Sequence, residues 1–151
     1  MNFLFCHYFK YGMENEVMPE SSILWKHYQT PCFDVPTSID FSSFGIITAS
    51  NPESIAHTDA QNNERNAQLE HYISECGWEY VSLTAGSPDM LWQESSFAVK
   101  ANRSDLFAVS ETWQQNAFYW VNNKNLILVP VLLAPHFQPV NLGHFDNRLT
   151  F

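Results

Sequence analysis

The sequence predicts an α+β domain with a ferredoxin-like (split βαβ) sheet, mixed but largely antiparallel, carrying two main helices on one face. Three observations predict it: an order of strand, helix, strand, strand, helix, strand, strand after residue 44; a capping-box signature that opens the first long helix; and an asparagine-rich hairpin turn before the last strand. The chain has 151 residues, 45% of them hydrophobic, which is material for one core.

Ser21 or Ser22 caps a short helix through Tyr28, ended at Thr30-Pro31 because the residue before proline avoids the helical region. Leu24 and Tyr28 share a face of it. Phe33 to Val35 reads as an edge strand stopped by Pro36, and Phe44 to Ala49 as a central strand, being apolar and nearly continuous. Ser50-Asn51-Pro52 then supplies turn chemistry. Thr58 and Gln61 form the capping box, Cys76-Gly77 the stop, and a helix of about eighteen residues lies between. Trp78 to Ala85 and Ser95 to Ala101 are strands around the Gly86-Ser87-Pro88-Asp89 turn. A second helix starts at Asn102 or Ser104 and runs to about Gln115, with Leu106, Val109 and Trp113 on its apolar face. Ala117 to Val121 and Leu126 to Val131 pair around Asn122-Asn123-Lys124-Asn125. The expected organisation is a loose N-terminal extension over 1–20, one α+β domain over 21–134, and an irregular C-terminal tail over 135–151.

Charge and motif absences narrow the function. Sixteen acids against seven bases leave a net charge of −9, which works against general nucleic-acid binding. No apolar run approaches the ~18 residues of a membrane helix, so no membrane partner is expected. Cys6, Cys32 and Cys76 fit neither a disulfide framework nor a metal knuckle, which points to a reducing cytoplasm. The six histidines never fall at ligand spacing, so no metal is expected and the cofactor is left unidentified. Hydrolase-elbow, P-loop and dinucleotide fingerprints are all missing.

The informative anomaly is in the first long helix. Its core stripe of Leu69, Tyr72, Ile73 and Cys76, projected backwards in steps of three and four, reaches Asn62, Arg65 and Asn66. A face that should be apolar turns polar beside the end of the strongest strand, where Thr48 and Asn51 lie and where ligands often bind in α/β sheets. Arg65 there suits a phosphate or carboxylate, or else Asn62 and Arg65 pin the loop, hydrogen-bonding its carbonyls and pairing with Glu53 or Asp59. Trp92 and Glu94 form a second cluster, a stacking surface with an acid or base, against the plainer reading of a packed tryptophan and a solvated glutamate. Gln115 ends the second helix, where its amide caps free carbonyls or reaches a ligand.

The elements Leu24-Trp25…Tyr28, Ile47-Thr48-Ala49-Ser50-Asn51-Pro52…Ser54, Asn62-x-x-Arg65-Asn66-x-x-Leu69, Trp92…Glu94-Ser95-Ser96-Phe97 and Gln115-Asn116-Ala117 resemble, in order and spacing, a bacterial family of uncharacterised proteins, domain of unknown function 3293. The resemblance spans about Leu24 to Val129. It departs at Gln114, where the family pattern often has glycine. It implies a compact bacterial protein and brings no activity, cofactor or catalytic assignment.

The sequence thus favours a small binding domain whose polar pocket, at the N-terminal end of the first long helix, takes a small anionic ligand through Thr48, Asn51, Asn62, Arg65, Trp92, Glu94 and Gln115. The competing readings are an enzyme, a hydrolase or transferase using Glu94 as acid or base with Arg65, and an acidic protein-interaction module presenting Trp113, Phe118 and Trp120, or the aromatic tail, to a protein partner.

Overall fold

The computed structural model describes residues 20–150; the expected N-terminal extension lies almost wholly outside them. Helix α1 (Glu20–His27) precedes the short strand β1 (Cys32–Asp34) and strand β2 (Ser43–Ile47). A 3₁₀ turn (Pro52–Ser54) leads to α2 (Asp59–Glu75), the hairpin β3 (Tyr80–Gly86) and β4 (Gln93–Val99), and α3 (Arg103–Thr112). Strands β5 (Ala117–Asn122), β6 (Asn125–Pro130) and β7 (Val140–His144) follow, with a last 3₁₀ turn (Phe145–Arg148).

Local chemistry sets most of these boundaries. At the start of α2 the Thr58 hydroxyl accepts from Gln61 N–H while the Gln61 side chain accepts from Thr58 N–H, the reciprocal box the sequence predicts. Its end is a left-handed Gly77 at φ 71°, with Gly77 N–H on the Ser74 carbonyl and Trp78 N–H on that of Ile73. The β5–β6 hairpin turns on Asn123 (φ 47°) and Lys124 (φ 70°), both left-handed as a two-residue primed turn requires.

The seven strands form one sheet in the order β1-β3-β4-β2-β5-β6-β7, and every neighbouring pair is antiparallel. The expected mixed character reduces to one isolated parallel bridge, Phe33 to Leu149, between β1 and the segment that follows the last 3₁₀ turn. Alternation along β2 divides the core into two. Phe44 and Ile46 face inward, with Leu83, Ala98, Tyr119, Leu128 and the α1 residues Leu24 and Trp25. Ile47 faces outward against Leu69 and Ile73 of α2 and Leu106 and Val109 of α3. Gly45 lies under α3, where a Cβ would run into the Leu106 side chain.

Three expectations shift. Strand β4 starts at Gln93 rather than Ser95, so Glu94 is paired with Ala85 inside the sheet. Helix α3 stops at Thr112, because Gln114 turns left-handed (φ 59°) and closes a Schellman motif: Gln115 N–H bonds the Ser110 carbonyl and Gln114 N–H that of Glu111. The tail after Pro135 is not irregular. It supplies β7 and buries Phe145, and its period is hidden by a bulge opposite Asn125/Ile127 and by Gly143 at φ 89°.

Candidate functional site

The loop from Thr48 to Ser54 follows β2, includes the 3₁₀ turn and holds three left-handed non-glycine residues, Asn51 (φ 45°), Glu53 (φ 56°) and Ser54 (φ 63°). Each such residue costs of order 1–2 kcal/mol, so the surroundings must over-determine the conformation. They do so with side chains. The Thr48 hydroxyl donates to the Ser95 carbonyl of β4 at 2.7 Å and accepts from Ser50 N–H. Asn66 takes Ala49 N–H on its Oδ1 at 2.9 Å and gives its Nδ2 to the Ser50 hydroxyl at 2.8 Å. Asn62 accepts from Asn51 N–H at 2.9 Å and donates to Asn51 Oδ1 at 3.0 Å.

Arg65 reaches out of α2 across the same loop. Its Nε donates to the Ala49 carbonyl at 2.7 Å and its Nη2 to the Trp113 carbonyl at 2.8 Å, so one guanidinium ties the β2 end to the α3 end. Neither Glu53 nor Asp59 pairs with it, and among the described residues it has no carboxylate partner. Burial lowers its pKa from the ordinary guanidinium value, yet an arginine stays protonated at neutral pH. Gln115 is buried, and its Nε2 donates to the Ser50 and Trp113 carbonyls, both at 3.1 Å, so the helix-capping role expected of it is combined with a second grip on the loop.

Glu94 is not solvated. It is 3% exposed, on the inner face of β4, and its Oε1 accepts from Asn51 Nδ2 at 3.0 Å. Inner-face alternation follows from the early start of β4, which sequence periodicity misses. Its charge lies near two buried tyrosines. Desolvation, reinforced by Glu94, holds the Tyr28 and Tyr119 hydroxyls above the usual phenol pKa, with the Ser54 and Asn116 hydrogen bonds opposing this at Tyr28. Tyr119 donates to the Tyr28 carbonyl at 2.6 Å, Tyr28 and Ser54 hydroxyls meet at 2.6 Å, and Asn116 Nδ2 donates to Ser54 Oγ at 2.8 Å.

Of the seven residues named from the sequence, Thr48, Asn51, Asn62, Arg65, Glu94 and Gln115 are thus connected through this one loop. Trp92 has a different position, half-buried against the inner core where β4 begins. Ser50, Ser54, Tyr28 and Asn116 join them, together with Asn66, which the broken helix stripe marks but which is not among the seven. Asn66 and Asn116 carry a readable signal, each adjoining a named residue on a polar stretch, whereas Tyr28 is indistinguishable from a core aromatic. The interaction surface loses Phe118, which faces the α2–α3 side of the core at 1% exposure. Among the described residues, a cleft near α3 and another of about 400 Å³ beside β1 are lined by other residues than these. Among the described residues no group of three histidine, cysteine, aspartate or glutamate side chains is placed to hold a metal ion, and no helix is long and apolar enough to cross a membrane.

Fold and loop together define an α+β domain organised around a hydrogen-bonded clamp at the end of its central strand. Residues 47–118 match the model of a family described as "Protein of unknown function (DUF3293)". The resemblance read from the motifs is borne out over this segment, a little under half of the chain, and the segment contains every clamp residue except Tyr28 and Tyr119. No curated protein and no solved structure gives a match.

Proposed function

We propose that this domain binds a small anionic ligand at Arg65. The observation that carries the reading is a guanidinium, partly desolvated and committed to two backbone carbonyls, with no acid to neutralise it in a chain of net charge −9. Its other N–H groups suit a carboxylate or phosphate. In this reading Thr48, Asn51, Asn62 and Gln115 set the loop's shape and Glu94, which holds Asn51, supports it, while Trp92, half-buried against the inner core, stays outside the site. The strained loop supports it, since non-glycine residues held left-handed cluster at functional sites. Calorimetric titration with inorganic phosphate, a nucleoside monophosphate and citrate tests the reading. One of them is expected to bind and to lose at least tenfold in affinity in Arg65→Ala, with circular dichroism confirming the fold. Binding undiminished by that substitution removes Arg65 from the site.

A second reading, a hydrolase or transferase with Glu94 as acid or base, rests on the burial of that carboxylate beside Asn51. Turnover of p-nitrophenyl esters or phosphates, abolished in Glu94→Gln while ligand affinity persists, is its expected signature. We further read β2–α2–β3–β4–α3–β5 as the split βαβ plan, on the strand order β3-β4-β2-β5 and the shared apolar cluster of α2 and α3. A bacterial, cytoplasmic setting is likewise proposed, on the family resemblance and the free thiols of Cys32 and Cys76.

A further inference from the structure

A cleft of about 520 Å³ opens at the N-terminal end of α3, whereas Trp113, whose carbonyl Arg65 holds, closes the C-terminal end of that helix. Its walls are apolar: Phe107 from α3, Val129 and Pro130 from the end of β6, and Phe137 from the segment before β7. Phe137 is fixed in place by stacking on Trp25, with centroids 4.9 Å apart and planes 8° from parallel. Phe107 packs against the outer core. The volume lies in the ~300–1,000 Å³ range of small-molecule sites, which combine apolar lining with a few polar groups.

The polar side is Arg103, with the uncharged Ser104 and Gln138. Arg103 is half-buried, has no hydrogen bond or ion pair with any described residue, and is the sole charged residue lining the cleft. An unpaired cation bordering an apolar wall, in a chain of net charge −9, complements a molecule with one anionic head and a short apolar body. We propose that this cleft binds a small amphipathic carboxylate, its head on Arg103 and its apolar chain between Phe107 and Phe137. This site is independent of Arg65 and stands or falls separately.

The test uses the full chain and three probes, octanoate, 1-octanol and acetate, followed by amide chemical-shift titration. Octanoate is expected to move the resonances of Phe107, Val129 and Phe137 saturably, at least tenfold more tightly than either other probe. Arg103→Gln, a change outside both cores, is expected to bring octanoate down to the affinity of 1-octanol. Ala134→Leu, which fills the cleft from its rim, is expected to weaken octanoate and 1-octanol together. Equal affinity for octanoate and 1-octanol in the wild type overturns the proposal, as does octanoate binding that survives both substitutions, or shifts that map away from the cleft. Arg65→Ala is expected to leave octanoate binding unchanged.

Discussion

Asn62 locks Asn51 at two points: its Oδ1 accepts the Asn51 backbone N–H at 2.9 Å and its Nδ2 donates to the Asn51 side-chain oxygen at 3.0 Å. Asn51 is thereby held at φ 45°, with its own Nδ2 directed at Glu94. Asn62→Ala removes both bonds and leaves a loop N–H without its acceptor, so a loss of about 1–3 kcal/mol is expected. Urea denaturation with an unchanged m-value is the measurement; a change under a few tenths of a kcal/mol would show that the lock is dispensable.

Arg65 spans two carbonyls from separate elements, and a lysine ammonium on a single stem lacks the fork needed to meet both. Arg65→Lys keeps the charge yet is expected to cost roughly 1–3 kcal/mol. Hydrogen exchange at Gln115 and Ser50 should accelerate in this variant. Stability equal to the wild type would mean that charge alone, and not the span, matters to the fold.

Gln114 occupies the C′ position of α3 at φ 59°, and among the described interactions its backbone, not its side chain, makes the contacts, including Glu53 N–H on its carbonyl at 2.8 Å. Glycine meets this geometry without a Cβ penalty. Gln114→Gly is therefore expected to stabilise the protein by up to about 1 kcal/mol, read as a raised melting temperature.

Gly45 is close-packed beneath Leu106, which is fully buried, so the added methyl of Gly45→Ala displaces the Leu106 side chain or α3 itself. A loss of about 1–3 kcal/mol is expected from overpacking, and Gly45→Ala combined with Leu106→Ala should recover part of it relative to the sum of the singles. Additive effects in that double-mutant cycle would contradict the contact.

Tyr28 and Tyr119 are buried and titrate above their unfolded value of about 10. A raised folded pKa contributes stability that is complete below about pH 10 and is lost as pH rises towards the folded value. Above pH 10 the unfolding free energy should fall by up to about 1.4 kcal/mol per pH unit for each of the two tyrosines. In Tyr28→Phe that slope is expected to drop by up to half, whatever the variant costs at neutral pH. A slope identical to the wild type would mean that Tyr28 does not retain its proton in the fold.

What was legible in the sequence followed from chemistry that acts over a few residues. The Thr58–Gln61 box, the Gly77 stop and the Asn123 turn are local devices, and each lies where the sequence predicts it. Asn62, Arg65 and Asn66 were visible because they break a helical stripe. Glu94 was ambiguous because a glutamate near a strand end gives no clue to its partner, and the two-residue displacement of β4 decides that it is buried. Strand β7 was invisible for a different reason: a bulge and a left-handed glycine destroy the two-residue period that marks a strand. The Tyr28–Ser54–Asn116 contacts join residues up to 88 positions apart, and no local pattern encodes a meeting at that range.

The bridge from Phe33 to Leu149, joined by Thr150 N–H on the Phe33 carbonyl at 2.9 Å, has a consequence for how the chain is completed. A contact between positions 117 apart must overcome a large loop-closure entropy, so the seam should form after the β3–β4 and β5–β6 hairpins have already zipped. Until then the exposed border of β1 is open to pairing with a neighbouring molecule. The last residues of the seam thus act as a guard against self-association as well as a fastening.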